Sequence, residues 1–242
     1  MSFLRSVLFN VFFFVATFLL TLPGTVLRFV APHRALDVAR LWARVAVGGL
    51  RVICGIRLVV IGGEQLREGG AMLIASRHQS AFDTIVWLIL VPRCCYVVKR
   101  ELLRIPLFGP LIPLTGMIAV DRAGGAPALR GLVREGERAV RERRQIVIFP
   151  EGTRAEPGAP LPLQPGVAAL AARTGLPVIP AVTDSGRCWG RRAFHKHPGT
   201  VHIRLLEPIP AGIGREELLQ RLAAALRSDV FPSAKPVENS VG

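Results

Sequence analysis

Residues 71–91 read AMLIASRHQSAFDTIVWLILV, and the topology follows from this stretch. Ala71–Ala75 is a short apolar run of strand type, and a polar corner follows from Ser76 to Ser80. From Asp83 to Val91 the apolar residues return as a helix. A buried strand that turns through a polar corner into a helix is half of a βαβ unit, whose strands pair in parallel.

The alternation continues on both sides. Strands are expected at Arg57–Ile61, Cys95–Val98, Met117–Val120, Ile146–Phe149, Val178–Val182 and Val201–Leu206. Helices are expected at Pro127–Arg143, Gly166–Thr174 and Arg215–Arg227. Pro127–Arg143 sets an apolar stripe (Leu129, Leu132, Val133, Gly136, Val140) beside a basic one (Arg130, Arg134, Arg138, Arg141). The fold class is therefore α/β, a mostly parallel sheet flanked by helices, preceded by an N-terminal hydrophobic two-helix membrane-anchoring segment. The expected organisation is an anchor over 1–56, an α/β domain over 57–230 and a flexible tail over 231–242.

The anchor is read from charge and hydropathy. Between Arg5 and Arg28 lie 22 uncharged residues, rich in Phe and Leu. As a helix they extend about 33 Å, close to the hydrocarbon thickness. Pro23-Gly24 is expected to interrupt this helix. A cleaved signal is the competing reading, but no convincing small-residue cleavage site follows. Over 37–56 a second helix is expected, with Asp37, Arg40, Arg44 and Arg51 on one face, suited to a headgroup layer or to core packing. Either a single span with an interfacial helix or a hairpin in one leaflet fits. The basic residues after the first helix place the domain on the cytoplasmic side of the cytoplasmic membrane.

Composition narrows the partners. The chain has 242 residues, half of them apolar, and a mean hydropathy of +0.40, which excludes a disordered chain. Its 31 Lys and Arg against 17 Asp and Glu leave +14, which points to a polyanion, nucleic acid or anionic membrane. Residues 1–57 carry 7 basic and 1 acidic side chains, so +6 sits on the most apolar stretch and favours membrane phospholipids over nucleic acid. Cys54, Cys94, Cys95 and Cys188 have no CxxC spacing and read as reduced, mostly buried thiols.

Three motifs carry chemistry. His78 and Asp83 flank the strand-to-helix corner, where sites of open α/β sheets lie. A carboxylate there can hold Nδ1 of the histidine and leave Nε2 as a general base, although His-x4-Asp alone also fits a plain loop histidine. Phe149-Pro150-Glu151-Gly152-Thr153-Arg154 follows a buried strand. Gly152 admits close backbone approach, Thr153 offers a hydroxyl and Arg154 a fork suited to phosphate. The third motif is Lys99, Leu102, Pro106 and Gly109, closed by Asp121-Arg122. The run Gly186–Leu206 carries Arg187, Arg191, Arg192, Lys196 and Arg204 without an acid, as an anion-facing or solvated loop. His195, His197 and His202 lack a completing ligand, so no metal is expected. Ser80 is expected to be a turn residue rather than a nucleophile. No Gly-x-Ser-x-Gly elbow is present.

Order and spacing of these motifs over about residues 70–185 resemble the membrane-bound glycerolipid acyltransferase family, especially its bacterial 1-acylglycerol-3-phosphate acyltransferases. The resemblance implies that His78 and Asp83 are the catalytic pair. It also implies that Lys99, Glu151, Gly152, Thr153 and Arg154 hold the acceptor phosphate, with Glu151 orienting Arg154 or binding an acceptor hydroxyl. Leu176-Pro177-Val178-Ile179-Pro180 resembles the family's fourth block. The implied reaction moves an acyl chain from acyl-CoA or acyl carrier protein to the 2-hydroxyl of lysophosphatidic acid, giving phosphatidic acid, with no cofactor and no covalent acyl-enzyme. A lyso-ornithine lipid, another lysolipid or glycerol 3-phosphate are alternative acceptors. A non-catalytic basic membrane-binding protein is the remote alternative.

Overall fold

The computed structural model describes residues 2–66, 70–121, 123–155 and 162–227; the expected tail over 231–242 and Arg122 lie outside them. Two helices open the chain, α1 (Ser2–Val30) and α2 (Ala35–Cys54), followed by β1 (Ile56–Ile61). Then come β2 (Met72–Ser76), α3 (Ala81–Leu90), β3 (Cys94–Lys99) and β4 (Ile118–Val120), with short 3-10 turns between the last two. The chain continues through α4 (Gly125–Arg141), β5 (Gln145–Ile148), α5 (Gly166–Thr174), β6 (Val178–Thr183), β7 (Gly199–Leu205) and α6 (Arg215–Arg227).

The seven strands form one sheet in the order β1-β7-β6-β2-β5-β3-β4. Five of the six pairings are parallel, and β6–β7 is antiparallel. The expected α/β class is therefore observed. Both faces are covered, which is why the central strands read as continuous apolar runs. Leu73, Ala75, Ile146, Val178 and Val182 meet α4, α5 and α6 on one face. Ile74, Val147, Ile179 and Ala181 meet α1, α2 and α3 on the other. In α3, Phe82 and Trp87 are both 1% exposed, and burial of each contributes about 1.5–3 kcal/mol.

Helices α1 and α2 pack antiparallel. The Trp42 Nε1–H donates to Thr17 Oγ1 at 2.9 Å, and the Phe13 and Trp42 ring centroids lie 5.7 Å apart. Phe12 fits over Gly49, where a Cβ would lie 2.3 Å from the ring. Gly55, at φ 70°, closes α2 in the left-handed conformation. Phe9, Ala43, Ala46 and Leu50 belong to the same core as α3 and the sheet.

One expectation about α1 fails. Pro23 does not end it; the helix runs on to Val30. A mid-helix proline removes one amide donor and strains one turn, a loss that packing on both sides can outweigh. Here Gly24 is buried against Leu111 and Val38, and Thr21 and Thr25 hydroxyls donate to carbonyls within the same turns. Alone among the described helices, α1 is long and apolar enough to cross a membrane. It buries little of itself: Phe14, Phe18, Leu19, Val26 and Phe29 are all more than half exposed.

Candidate active site

The parallel strands β3, β5, β2 and β6 bring their C-terminal ends to one edge of the sheet, the place where open α/β folds bind ligands. Ser76 ends β2, and Arg77–Gln79 lead into α3. Ser80 caps that helix: its Oγ accepts the Phe82 N–H at 3.1 Å, and Asp83 at the third helical position completes a capping box. Asp83 Oδ2 accepts the N–H groups of Gln79 (2.7 Å) and Ser80 (2.8 Å) and lies 3.2 Å from His78 Nδ1. One carboxylate oxygen thus fixes both the corner and the imidazole. Asp83 is 1% exposed, so water does not compete for it.

The His78 ring stacks on Phe149, with centroids 4.2 Å apart at 24°. Its backbone N–H donates to Glu151 Oε2 at 2.8 Å, and its carbonyl accepts the Ala155 N–H at 2.8 Å. The β2 and β5 loops are therefore cross-linked at the histidine. Burial pushes the Glu151 pKa up to about 8, with the His78 N–H and Arg77 pulling it down and Asp83 adding to the rise.

A cavity of about 530 Å³ opens beside this corner. Its polar lining includes His78, Lys99, Gly152, Thr153, Arg154, Arg191 and Arg192, and its apolar lining includes Leu20, Val38, Trp42, Leu88, Phe108 and Ile112. The apolar wall is shared by α1, α2 and the 3-10 turns that follow β3. Gly152 has φ 71°, which turns the chain so that Thr153 and Arg154 enter the wall. Burial lowers the Arg154 pKa.

The structure thus brings His78, Lys99, Gly152, Thr153 and Arg154 around one cavity. Asp83 and Glu151 are placed behind its wall. Glu151 takes the His78 N–H, and among the described residues no contact with Arg154 is seen. Arg77 is also turned away from the cavity, its guanidinium donating to Leu226 O at 3.2 Å. Ser80, at 0% exposure, is a cap, as its place before a helix implied. Sequence reasoning left Arg191 and Arg192 unplaced; their only signal was a basic run without acids. Lys196, expected in the same anion-facing or solvated run, is instead 2% exposed. Its amine donates to Asn10 Oδ1 at 2.6 Å, because aromatic rings from α1 and its own loop enclose it.

Comparison with known proteins adds an independent line. The acyltransferase family model matches residues 57–184. The chain is 32% identical to a 1-acyl-sn-glycerol-3-phosphate acyltransferase of Pseudomonas aeruginosa over 98% of its own length and 94% of the relative's. It is also 32% identical to the human 1-acyl-sn-glycerol-3-phosphate acyltransferase beta, over 68% of this chain and 60% of that one. The crystal structure of the 1-acyl-sn-glycerophosphate acyltransferase PlsC from Thermotoga maritima superposes with a TM-score of 0.74 at 23% identity, covering 94% of this chain and 95% of that one, a likeness of fold. The match therefore takes in the His78 corner, the β5 loop and the helical N-terminus together, and the chain belongs to the acyltransferase family.

Proposed function

We propose that the protein transfers a fatty acyl chain from a thioester donor, acyl-CoA or acyl carrier protein, to the 2-hydroxyl of 1-acylglycerol 3-phosphate, giving phosphatidic acid. The observation that carries this reading is a histidine held at Nδ1 by a buried carboxylate, in the wall of a cavity lined by both cationic and apolar side chains. The cationic side chains suit a phosphate and the apolar ones an acyl chain. The comparisons support the acceptor, since relatives from a bacterium and from human carry that name.

In this mechanism His78 Nε2 takes the hydroxyl proton as the oxygen attacks the thioester carbonyl. The C–O bond forms, the C–S bond breaks, and the imidazolium returns the proton to the thiolate. Asp83 holds the tautomer and balances the imidazolium charge. Lys99 and Arg154 hold the phosphate, with Thr153 and the Gly152 backbone beside it, and Glu151 sets the His78 backbone from behind. General-base catalysis of this kind contributes about 10²–10⁴-fold. The test is His78→Ala in purified protein. Acyl transfer should fall by at least about 10²-fold while the melting temperature and vesicle association stay near wild type. Near-normal turnover would remove the mechanism.

The helices favour a hairpin lying in one leaflet over a single span. Near its start α1 is tied to the domain through Ser6 and Asn10, and at Gly24 it packs by Leu111, contacts that a hairpin lying beside the domain keeps. Its exposed apolar side faces lipid at the cytoplasmic membrane surface, where basic residues near the hairpin gain about 1 kcal/mol each from anionic lipid.

A further inference from the structure

The loop Cys188–His197 has no part in the chemistry above, yet it touches both α1 and the cavity. It closes on itself: the His197 N–H donates to Cys188 O at 2.8 Å and the Trp189 Nε1–H to Ala193 O at 3.1 Å. One side is fastened to α1. The Lys196 N–H donates to Ser6 Oγ at 2.9 Å, and its Nζ donates to Asn10 Oδ1 at 2.6 Å and Phe194 O at 2.9 Å. The ammonium lies 5.4, 4.8 and 5.5 Å from the ring centroids of Phe9, Trp189 and Phe194. No carboxylate pairs it among the described residues. A buried cation held only by neutral partners and ring faces is expensive to maintain, so its partners must be held rigidly in place.

The other side of the loop delivers Arg191 and Arg192 to the cavity wall beside Arg154. Arg192 has φ 55°, the left-handed conformation by which the exposed Arg191-Arg192 turn reverses the chain. Among the described residues no acid forms an ion pair with Arg154, Arg191 or Arg192. Their mutual repulsion adds to burial in lowering the Arg154 pKa, with Asp83 opposing. Three neighbouring guanidinium groups in a cavity lining repel one another until an anion enters, and a doubly charged phosphomonoester relieves more of that repulsion than a singly charged diester.

We propose that Arg191 and Arg192 select the acceptor by the charge of its phosphate, and that Lys196 is the positioning residue that holds them at the cavity through α1. This rests on the acceptor assigned above. The acceptor's phosphate is joined to the reacting hydroxyl by a short stretch of glycerol, so it must sit in the same cavity as His78. The phosphates of a coenzyme A donor are a whole pantetheine arm away from the reacting carbonyl.

The test uses the full chain in mixed micelles, with 1-acylglycerol 3-phosphate as acceptor and acyl-CoA as donor. Replacing both arginines (Arg191→Gln with Arg192→Gln) should raise the acceptor KM at least about tenfold, leaving kcat and the donor KM within about twofold. Lys196→Met should shift the acceptor KM in the same selective way, whereas Asn10→Asp, which keeps an acceptor for the ammonium, should stay at wild type. If Lys196→Met does not fold, Ser6→Ala and Asn10→Leu release the same loop and must show the same selective rise. A rise confined to the donor KM, or an unmoved acceptor KM in the arginine double variant, overturns the inference. An acceptor KM that stays at wild type in folded Lys196→Met, or in Ser6→Ala with Asn10→Leu, overturns the positioning role. Wild-type protein that acylates no phosphate-bearing lysolipid overturns the functional reading itself.

Discussion

Replacing Glu151 by Gln should make the protein more stable at neutral pH. The carboxyl is 4% exposed, its Oε2 accepts the His78 N–H, and its Oε1 has no partner. Burial raises its pKa from 4.5 to about 8. Between those values the folded chain keeps a proton that the unfolded chain has released, so stability falls as pH rises. The advantage of the neutral form is complete below about pH 4.5 and is lost as pH climbs toward about 8. Each unit is worth about 1.4 kcal/mol, which by pH 7 amounts to about 3 kcal/mol. The amide of Gln is neutral at every pH, can accept the His78 N–H, and leaves an NH2 where wild type leaves an equally unpartnered oxygen. Thermal melts of both proteins in one detergent, from pH 5 to pH 8, should therefore diverge. The variant should melt at nearly the wild-type temperature at pH 5 and about 6–12 °C higher at pH 7. Other titrating groups cancel in the difference. An offset independent of pH, or a variant less stable at pH 8, would show that the carboxyl is not held neutral.

Gly109→Ala should lower Tm by several degrees and impair activity, measured by melting and turnover: its Cβ would lie 2.2 Å from the Leu103 backbone oxygen, and no flexible side chain can yield there. Ser80→Ala should cost about 1 kcal/mol of stability through the lost cap while acyl transfer persists in a turnover assay, since Asp83 still holds the corner. Abolished turnover in a folded Ser80→Ala protein would instead revive a nucleophilic serine. Arg154→Ala should raise the KM for a phosphate-bearing acceptor by about tenfold or more and leave the donor KM nearly unchanged in steady-state assays.

Local signals made much of this architecture legible. Each strand was marked by a β-branched or apolar run between turn residues, and the His78 corner by a strand followed at once by a capped helix. Once the strands are parallel, their C-terminal ends must share an edge, so a histidine after β2, a lysine at the end of β3 and an arginine after β5 had to converge. What escaped depends on contacts distant in the chain. Pro23 reads locally as a stop, and only packing on Leu111 and α2 shows why the helix continues. Lys196 reads as a solvated charge because Asn10 and Phe9, 186 and 187 positions earlier, supply its surroundings. The antiparallel β6–β7 pair is invisible to spacing, yet it lets the β6–β7 loop return across α1 with Arg191 and Arg192 aboard. Glu151 could be seen beside a glycine and an arginine, but not that its partner would be the His78 backbone.

The sharing of the cavity between two kinds of wall bears on how lipid substrates reach the chemistry. Leu20 comes from α1, Val38 and Trp42 come from α2, and these meet Leu88 of α3 and the turn residues Phe108 and Ile112. The same α1 exposes Phe14, Phe18, Leu19 and Val26 on its other side. On the proposed reading the bilayer and the cavity are separated by the thickness of one helix pair. Each methylene withdrawn from hydrocarbon into water costs about 0.8 kcal/mol, so a long acyl chain routed through water would face a barrier that no cavity contact could offset in advance. A path from leaflet to cavity along the α1–α2 surface avoids that step, while the phosphate stays beside Arg154. Fastening α1 at Ser6, Asn10 and Gly24 then has a functional sense: a helix free to swing would open the apolar wall to water and move the cations set opposite it.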